Sequence, residues 1–598
     1  MFGLKLNGLF GTIDLLFFLG YMVVTLFIGF WVGRREKATV SDYFRAGNRL
    51  PWYAVGFSII AAGISSEQFV GETGYAYQFG MPVANWDWMV FPAISILLWI
   101  FIPIYIRNKV TTMPEYLENR FGPRSRTLYA WLIIGSYIFA NFALVFYTAG
   151  FAMEKMWGID RVWAILAIAL FTGAYTIYGG LESVAWTDFF QCALLVGGGA
   201  YVFFAGMHYI GWDYSLIGSN SLHHVFMTKV VGTGDRAHMI ATGNKDLPWT
   251  AMIILALSTN TWYYATDQFI NQRCLGAINE WHAKMGVLLA GGVQMIMPLA
   301  TCFPGMIYYV INPNLGQPGH PPADAAYPMM VATVVPMGLR GLVVAAVLGA
   351  IMSTVSGLVN STSTMFTLDI LKRWKGQNWS EMRLVRWGQL VGTIALILGA
   401  AFSIAVMHWE NMFRYCQDIW APMAAPAVVA FMGGALWKGA NERGAIACMW
   451  LSIITVPITF AKQMLSDGTF GVTMHFLPPN LENSMVFAGL VFIISIMFLV
   501  VLSNNRPRWQ SNLYAAILTI PIFLIAKESP AIIASMVLAS VVLGIFGFCS
   551  RANKPQDHMW DRSMLQLPKG EVEHWYSSLW VWWLVLGAVF VAVYAYFW

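Results

Sequence analysis

Long apolar runs separated by short polar connections make up almost the entire chain. Sixteen of these runs approach or exceed the length of about 20 residues that crosses a bilayer. They lie near residues 12–33, 52–77, 83–106, 127–153, 160–179, 187–210, 248–270, 284–311, 328–368, 385–408, 415–437, 442–465, 484–503, 511–526, 530–549 and 576–597. The ninth is too long for one simple span and predicts an extra helical piece outside the membrane, whereas the 511–549 hairpin has a short first arm. The pattern predicts an all-α polytopic membrane protein with about 14–16 transmembrane helices.

The second run is interrupted in its middle by small and polar residues. Its letters at 61–66 are AAGISS, and Glu67 and Gln68 follow. Small residues and a glycine make a regular helix easy to interrupt. Backbone groups at such a break are tolerated only where protein or a water-filled cavity receives them. The run therefore fits either a broken helix beside a cation and solute site, or a kinked helix with a polar interior face.

The run at 248–270 is the counterpart of the second run. Its middle reads STNT at 258–261, and Asp267 and Gln268 follow. Both runs begin with Pro-Trp, and their starts are five spans apart. Because five is odd, two groups of five spans must be inverted relative to each other. An inverted pair of repeats, each opening with an interrupted helix, is typical of a secondary transporter with a site near the membrane midplane.

Composition excludes most other classes of protein. Only 11% of the 598 residues are charged, compared with about 25% in soluble domains. The six cysteines are scattered, which predicts no metal or redox framework, and the modest net charge of +5 gives no sign of a nucleic-acid partner. No catalytic motif and no soluble domain of useful size are visible. We therefore expect neither an enzyme nor a receptor.

Positive charge predicts the orientation. With the N-terminus outside, the connections on the cytoplasmic side hold 25 of the 35 Lys and Arg residues, as the positive-inside rule requires. An even number of spans then places both termini outside. The first run lacks a convincing cleavage site, so it predicts a membrane span and not a removable signal. His223 and His224, in the outer connection 211–247, lack acidic or thiol neighbours and indicate a solvated loop.

Three further polar residues each allow two interpretations. Asp188 lies near the start of a span, where it could line a cation path or interact with a helix dipole. Ser353 and Thr354 lie in the ninth run, where hydroxyls either bond back to their own helix or hold a hard cation. Spacing alone does not choose between these interpretations.

Four stretches together resemble the sodium:solute symporter family, and within it the sodium/sugar cotransporters. They read DYFRAGNRLPWYAVGFSIIAAGISSEQFVG, IYGGLESVAWTDFFQ, NTWYYATDQFINQR and NSTSTMFTLDI, and they occur in order at the expected spans. The resemblance implies a leucine-transporter-type fold with a 5+5 inverted-repeat core at about 52–437 and peripheral helices. It divides the chain into 1–51 (first peripheral helix and loop), 52–210 (first repeat), 211–247 (extracellular loop), 248–437 (second repeat) and 438–598 (C-terminal peripheral helices).

The same resemblance implies site residues. Sodium would be held by carbonyl oxygens of Ala61, Ile64 and Ala350 and by hydroxyls of Ser353 and Thr354. The solute would be bound by Gln68, Asp87, Asn260, Tyr263, Gln294 and Gln417. The gates would be Glu72, Trp86, Tyr263 and Phe413, and Asp188 would couple the cation to transport.

Some positions depart from the family pattern. Asp87 stands where a Glu is usual, Gln294 where a Lys is usual, and Glu72 where an apolar residue is usual. Because a missing partner leaves a buried polar group unpaired, these changes predict a shifted specificity. Glu72 and Arg414 could form an outer-gate ion pair, or each could face a wet vestibule.

The function expected from these features is sodium-coupled import of a hexose such as glucose or galactose across the plasma membrane, by alternating access. The alternatives are a sodium- or proton-coupled carrier of inositol, a sugar acid or a carboxylate, and a non-transporting sensor. Sodium is the expected co-transported ion, and the sequence predicts no oligomeric state.

Overall fold

A computed structural model describes most of the chain. The described residues are 11–34, 39–65, 67–217, 228–229, 239–240, 256–406, 412–438, 440–450, 452–453, 558–568 and 575–597. The predicted spans 484–503, 511–526 and 530–549 lie outside them, as does most of 442–465.

Helices dominate the described part of the chain. In the first half they are α1 (Thr12–Gly33), α2 (Val40–Phe44), α3 (Trp52–Gly63), α4 (Thr73–Phe79), α5 (Asn85–Trp88), α6 (Val90–Ile96), α7 (Ile102–Arg107), α8 (Met113–Arg120), α9 (Pro123–Ser136), α10 (Phe142–Trp157), α11 (Arg161–Tyr209) and α12 (Tyr214–Ile217). In the second half they are α13 (Gln268–Leu275), α14 (Glu280–Ile296), α15 (Pro298–Ile311), α16 (Ala326–Val334), α17 (Leu339–Met365), α18 (Lys372–Trp374), α19 (Glu381–Val406), α20 (Met412–Leu436), α21 (442–450) and α22 (Leu579–Tyr596).

Short 3₁₀ and π-helical turns extend or join these helices. They are Ala46–Asn48, Glu67–Glu72, Met81–Ala84, Leu97–Phe101, Tyr137–Asn141, Ala256–Asn260, Trp262–Thr266, Ala323–Ala325, Phe366–Leu371, Arg562–Leu565 and Trp575–Ser577. Two strands of two residues, β1 (Thr228–Lys229) and β2 (Met239–Ile240), pair antiparallel with Thr228 opposite Ile240.

The helices confirm the predicted membrane architecture. Among the described residues, eight continuous helical stretches are long and apolar enough to cross a membrane, and a bent pair raises the number to nine. The ninth apolar run is indeed divided, into short α16 and long α17. Helix α11 has 49 residues, or roughly 70 Å at the usual rise per residue, which is more than twice a bilayer core. It is kinked at Gly180, where φ is 60°, so the predicted spans 160–179 and 187–210 lie on either side of this kink.

Burial separates a central bundle from peripheral helices. Within the most apolar window of each span, 94% of residues are buried in Leu339–Trp374, but only 22% in Thr12–Gly33 and 11% in Leu579–Tyr596. Helix α17 packs against α11 and α3, and α3 also packs against α14. The two terminal helices therefore lie at the edge of the bundle, and the polar residues of α3 and α17 lie at its centre.

The second predicted span is broken, as its small residues indicate. Helix α3 ends at Gly63, and Ile64 takes an extended conformation with φ −104° and ψ 111°. The stretches Trp52–Gly63 and Glu67–Phe79 meet at 53°. The Gln68 side chain satisfies the freed backbone, because its Oε1 accepts from Ser65 N at 2.7 Å and its Nε2 donates to Gly63 O at 3.1 Å.

The counterpart span is broken at Asp267. This residue is extended, with φ −78° and ψ 133°, and its carboxylate accepts from Phe269 N at the start of α13. The carbonyl oxygens before the break accept hydrogen bonds from tyrosines. Tyr105 donates to Ala265 O at 2.8 Å and Tyr129 donates to Thr266 O at 3.1 Å. Both runs are therefore interrupted, and protein groups receive the backbone atoms at each break. The second break lies at Asp267 and not in the middle of the run at 258–261, which is helical.

Candidate functional site

The end of α3 meets the middle of α17 in a set of oxygen atoms. Thr354 Oγ1 lies 3.0 Å from both Ala62 O and Ala350 O. No described residue donates a hydrogen bond to the carbonyl oxygens of Ala61 or Ile64. Carbonyl and hydroxyl oxygens without nitrogen or sulfur suit a hard cation. The predicted sodium ligands thus lie on α3 and α17, and the Thr354 hydroxyl connects these two helices. Its hydrogen bond to α3 is to Ala62 O, however, and not to the predicted ligand Ala61 O.

Ser353, the other predicted hydroxyl ligand, faces a buried ion pair. Its Oγ lies beside the Asp188 carboxylate, and neither Ser353 Oγ nor Asp188 Oδ1 has a hydrogen-bond partner of good geometry among the described residues. Asp188 Oδ2 accepts from Ser58 Oγ at 2.5 Å and from Arg273 Nη2 at 3.1 Å. Asp188 therefore lies inside α11, bridged to α3 and α13, and not at a free helix end.

Tyr263 lines a narrow cavity between the two broken helices. The cavity has room for about one water molecule at most. Its lining residues are Ala62, Ser65, Glu67, Asn141, Leu144, Val145, Tyr263, Phe269, Thr354 and Trp420. On one wall, Trp420 Nε1 donates to Asn141 Oδ1 at 3.1 Å. The predicted inner-gate tyrosine thus shares a cavity with the predicted cation site, but the space must widen before a sugar can enter.

The predicted solute residues form more than one group. Gln294 Nε2 donates to Asp87 Oδ1 at 2.5 Å, and Thr301 Oγ1 lies 3.4 Å from Asp87 Oδ2. Asn260 is buried, and its Nδ2 has no partner among the described residues. Gln68 instead turns to the helix break, as described above. The side chain of Gln417, on α20, lies outside the described residues.

The predicted outer-gate residues are only partly described. Glu72 is buried, with 3% of its surface exposed, and Trp86 is half-buried. The side chains of Phe413 and Arg414 lie outside the described residues. The Glu72–Arg414 ion pair accordingly stays a prediction, and the burial of Glu72 argues against its facing a wet vestibule in this conformation.

Sequence reasoning did not select several residues that shape this region. Arg273 pairs with Asp188, and Thr301 and Cys302 lie beside Glu72 and Asp87. Arg273 follows the predicted span 248–270, where an arginine fits a cytoplasmic connection, so nothing in the sequence indicated its pairing with Asp188. No sequence signal singles out Thr301 or Cys302, since hydroxyl and thiol residues are frequent in apolar helices.

Comparison with known proteins connects this geometry to a family. The model of the sodium:solute symporter family matches residues 43–452. The sodium/glucose cotransporter of Vibrio parahaemolyticus is 33% identical over 482 residues, covering 76% of this chain and 87% of that protein. The sodium/myo-inositol cotransporter 2 of Mus musculus is 32% identical over 459 residues, covering 73% and 68%.

A solved structure shares the fold. A Na⁺-coupled sialic acid symporter, in a substrate-bound outward-open state, superimposes with a TM-score of 0.63 and 23% identity. The superposition covers 89% of this chain and 98% of that one. The predicted leucine-transporter-type fold, with a broken-helix core and peripheral helices, is confirmed.

Proposed function

Because this chain belongs to the sodium:solute symporter family, we propose that it imports a sugar, such as glucose or galactose, together with sodium. The observation that carries the proposal is the 33% identity to a sodium/glucose cotransporter over 87% of that protein's length. Sodium supplies the driving force, and alternating access moves the sugar. The membrane is the plasma membrane, with both chain termini outside.

Sodium binding is proposed at the oxygen atoms where α3 meets α17. The ligands are the carbonyl oxygens of Ala61, Ile64 and Ala350 and the hydroxyls of Ser353 and Thr354. Because Thr354 already joins the two segments through Ala62 O, a cation here ties the first broken helix to α17. Loss of that cation on the inner side releases the two segments from each other. Asp188 couples this release to the rest of the bundle through its pair with Arg273.

Sugar binding is proposed in the space between the two broken helices once it has widened. The hydroxyls of the sugar exchange hydrogen bonds with a set of amides and one carboxylate, with Tyr263 stacking against the ring. The set is Gln68, Asp87, Asn260, Gln294 and Gln417. Glu72, Trp86 and Phe413 close the outer side, and movement of Tyr263 opens the inner side.

A cyclic polyol is a second candidate substrate. The similarity to sodium/myo-inositol cotransporter 2 is 32% identity, close to that for the sodium/glucose cotransporter. Inositol presents the same hydroxyl chemistry to the same amides. A sugar acid or other carboxylate is less favoured, because Glu67, Glu72 and Asp87 are buried acids and would repel an anion.

The test is uptake by the purified full chain in proteoliposomes. Labelled glucose, galactose and myo-inositol are supplied with an inward sodium, potassium or proton gradient. We expect accumulation only with sodium, abolished by Ser353→Ala or Asn260→Ala and retained in the control Leu390→Ala, whose side chain is exposed on α19. Uptake that rises at acidic pH and does not depend on sodium would show that transport is coupled to protons and not to sodium. Binding without accumulation would indicate a sensor.

A further inference from the structure

Three buried acidic side chains lie near Tyr264. They are Glu67, Glu72 and Asp87, with 9%, 3% and 2% of their surfaces exposed. The carboxylate oxygens of Glu72 and Asp87 and the sulfur of Cys302 lie within 4.8 Å of one another. Charged groups that act on Glu72 are Asp87 and Glu67, both acids. No described lysine, arginine or histidine compensates Glu72 or Asp87.

Backbone packing, and not mutual attraction, holds the Glu72–Asp87 pair together. Glu72 directly precedes α4, and Thr73 Oγ1 at the start of α4 donates to Thr301 O on α15 at 2.6 Å. The two helices approach so closely at Gly305 that a Cβ there would lie 2.1 Å from Thr73 O. The fold therefore places two like charges side by side, which costs free energy unless something neutralises them.

The same place has an excess of hydrogen-bond acceptors. Glu72 Oε2 and Gln294 Oε1 are both buried without a partner among the described residues. Gln294 is only 4% exposed, and its Nε2 already donates to Asp87 Oδ1. An unpartnered amide oxygen beside two carboxylates indicates a missing donor, since each unpaired buried acceptor costs about 1–3 kcal/mol in a folded protein. A donor that also carries positive charge satisfies these oxygens and balances the acids at the same time.

We propose that the Glu72–Asp87 pair binds a positively charged nitrogen of the transported solute, so that the preferred substrate is a polyhydroxylated amine such as an amino sugar. An ammonium group offers three donors and no acceptor, which matches the unpartnered oxygens. Acceptors within 4.8 Å of each other let one nitrogen reach both carboxylates at ordinary hydrogen-bond distance. The Cys302 thiol is a soft group and a poor ligand for sodium. The inference rests on the proposed function, because Asp87 and Gln294 are solute residues there.

The experiment is competition for sodium-driven sugar uptake by the full chain in proteoliposomes. Unlabelled glucosamine, galactosamine and 6-amino-6-deoxyglucose are compared with glucose, galactose and the uncharged N-acetylglucosamine. We expect the best amine to compete at least about tenfold better than its neutral parent, the range of a desolvated charge pair. In Glu72→Gln the ratio of amine to neutral competition should fall close to one, whereas the loop control Asp213→Asn should keep the wild-type ratio.

The outcomes are separable. Sugar uptake without preference for any of the three amines overturns this inference and leaves the proposed function standing. Absence of sodium-driven uptake for every sugar, neutral or charged, overturns the proposed function itself. If Glu72→Gln does not fold, Glu72→Met replaces it. If neither variant folds, the wild-type competition decides alone. No amine preference, together with loss of one sodium per cycle in the variant, would identify the pair as a sodium site and overturn the amine assignment.

Discussion

Thr354 carries the clearest single-residue link between the two halves of the proposed cation site. Its hydroxyl lies 3.0 Å from a carbonyl oxygen on each side, at Ala62 and Ala350. Thr354→Val removes this oxygen and keeps the shape of the side chain. We expect the sodium concentration for half-maximal uptake to rise by about ten- to a hundredfold, because the ion–dipole interaction of one oxygen ligand is comparable to a hydrogen bond to a charged group, about 1.5–3 kcal/mol.

Sodium titrations of uptake measure this effect. Thr354→Ser keeps the oxygen and is the matched control, with a sodium dependence close to that of the wild type. An unchanged sodium dependence in Thr354→Val would remove this residue from the cation site, whatever the transported solute is.

A second residue-scale prediction concerns pH. Asp324 lies in the turn Ala323–Ala325, outside the membrane-spanning helices and beside Gly74 of α4. Burial raises the pKa of its carboxyl to about 6. The folded state therefore binds this proton more tightly than the unfolded state, whose carboxyl titrates near 4. The contribution of this group to stability is present below about pH 4 and is lost as the pH rises to about 6.

The asparagine in Asp324→Asn cannot ionise, so this variant should not lose stability as the pH rises. We expect the variant to be more stable than the wild type at pH 7, by at most about 3 kcal/mol, and equal to it near pH 4. Thermal unfolding in detergent between pH 4 and pH 8 measures the difference. A variant that is less stable at pH 7 would show that the carboxylate forms a stabilising contact in the folded protein.

At the residue scale, sequence reasoning located the polar positions better than it located their contacts. Thr354 and Tyr263 were predicted and do line one cavity. Gln68 was predicted to bind solute, but its amide bonds the backbone on both sides of the break. That bond could not be foreseen, because it depends on the conformation of Ile64. The Asp188–Arg273 pair joins residues 85 positions apart, and spacing gives no information on such pairs.

At the scale of elements, the two broken helices repeat a short pattern after each break. Glu67-Gln68-Phe69 follows the first break, and Asp267-Gln268-Phe269 begins at the second. The two glutamines nevertheless bond differently, since Gln268 Oε1 accepts from Met113 N at 2.8 Å. The two breaks have different tertiary neighbours, which accounts for the difference. Small residues thus predicted where the first helix ends, but the cluster at 258–261 did not mark the second end, which lies at Asp267. Tertiary neighbours determined how both ends are satisfied.

Close approach of α4 and α15 gives an element-scale prediction. Gly305 lies where an added Cβ would be 2.1 Å from Thr73 O. Gly305→Ala must push the half-helix α4 away from α15, which should reduce stability by about 1–3 kcal/mol or more. Gly292→Ala is the matched control on the neighbouring helix α14, because its Cβ would meet nothing within 4 Å.

The yield of monodisperse protein and the unfolding temperature measure this effect. Both should fall in Gly305→Ala and stay near wild type in Gly292→Ala. If the two variants behave alike, the contact between α4 and α15 is not tight, and the placement of Glu72 beside Asp87 loses its structural reason.

At the scale of the whole molecule, the hydrophobic pattern alone predicted the membrane class and the described spans. It also predicted the division of the ninth run, now seen as α16 and α17. The pattern did not indicate which spans are central, because α1 and α17 are equally apolar, each with mean hydropathy 2.3. The two helices differ in how much of their surface is buried. Burial depends on packing between helices, and a short stretch of sequence carries no information about that packing. The division into two repeats stays a prediction from chain order.

The energetics of coupling give a prediction for the whole transport cycle. A potential of 100 mV contributes about 2.3 kcal/mol per charge, and a tenfold sodium gradient about 1.4 kcal/mol. One sodium ion per neutral sugar therefore supports accumulation of about 500-fold. At fixed potential, we expect the steady-state accumulation ratio to rise about tenfold for each tenfold increase in the sodium gradient. Proteoliposomes with clamped potential measure this slope. A hundredfold rise would require two sodium ions per cycle, and the buried carboxylates of Glu72 and Asp87 would then be the first candidates for the second site.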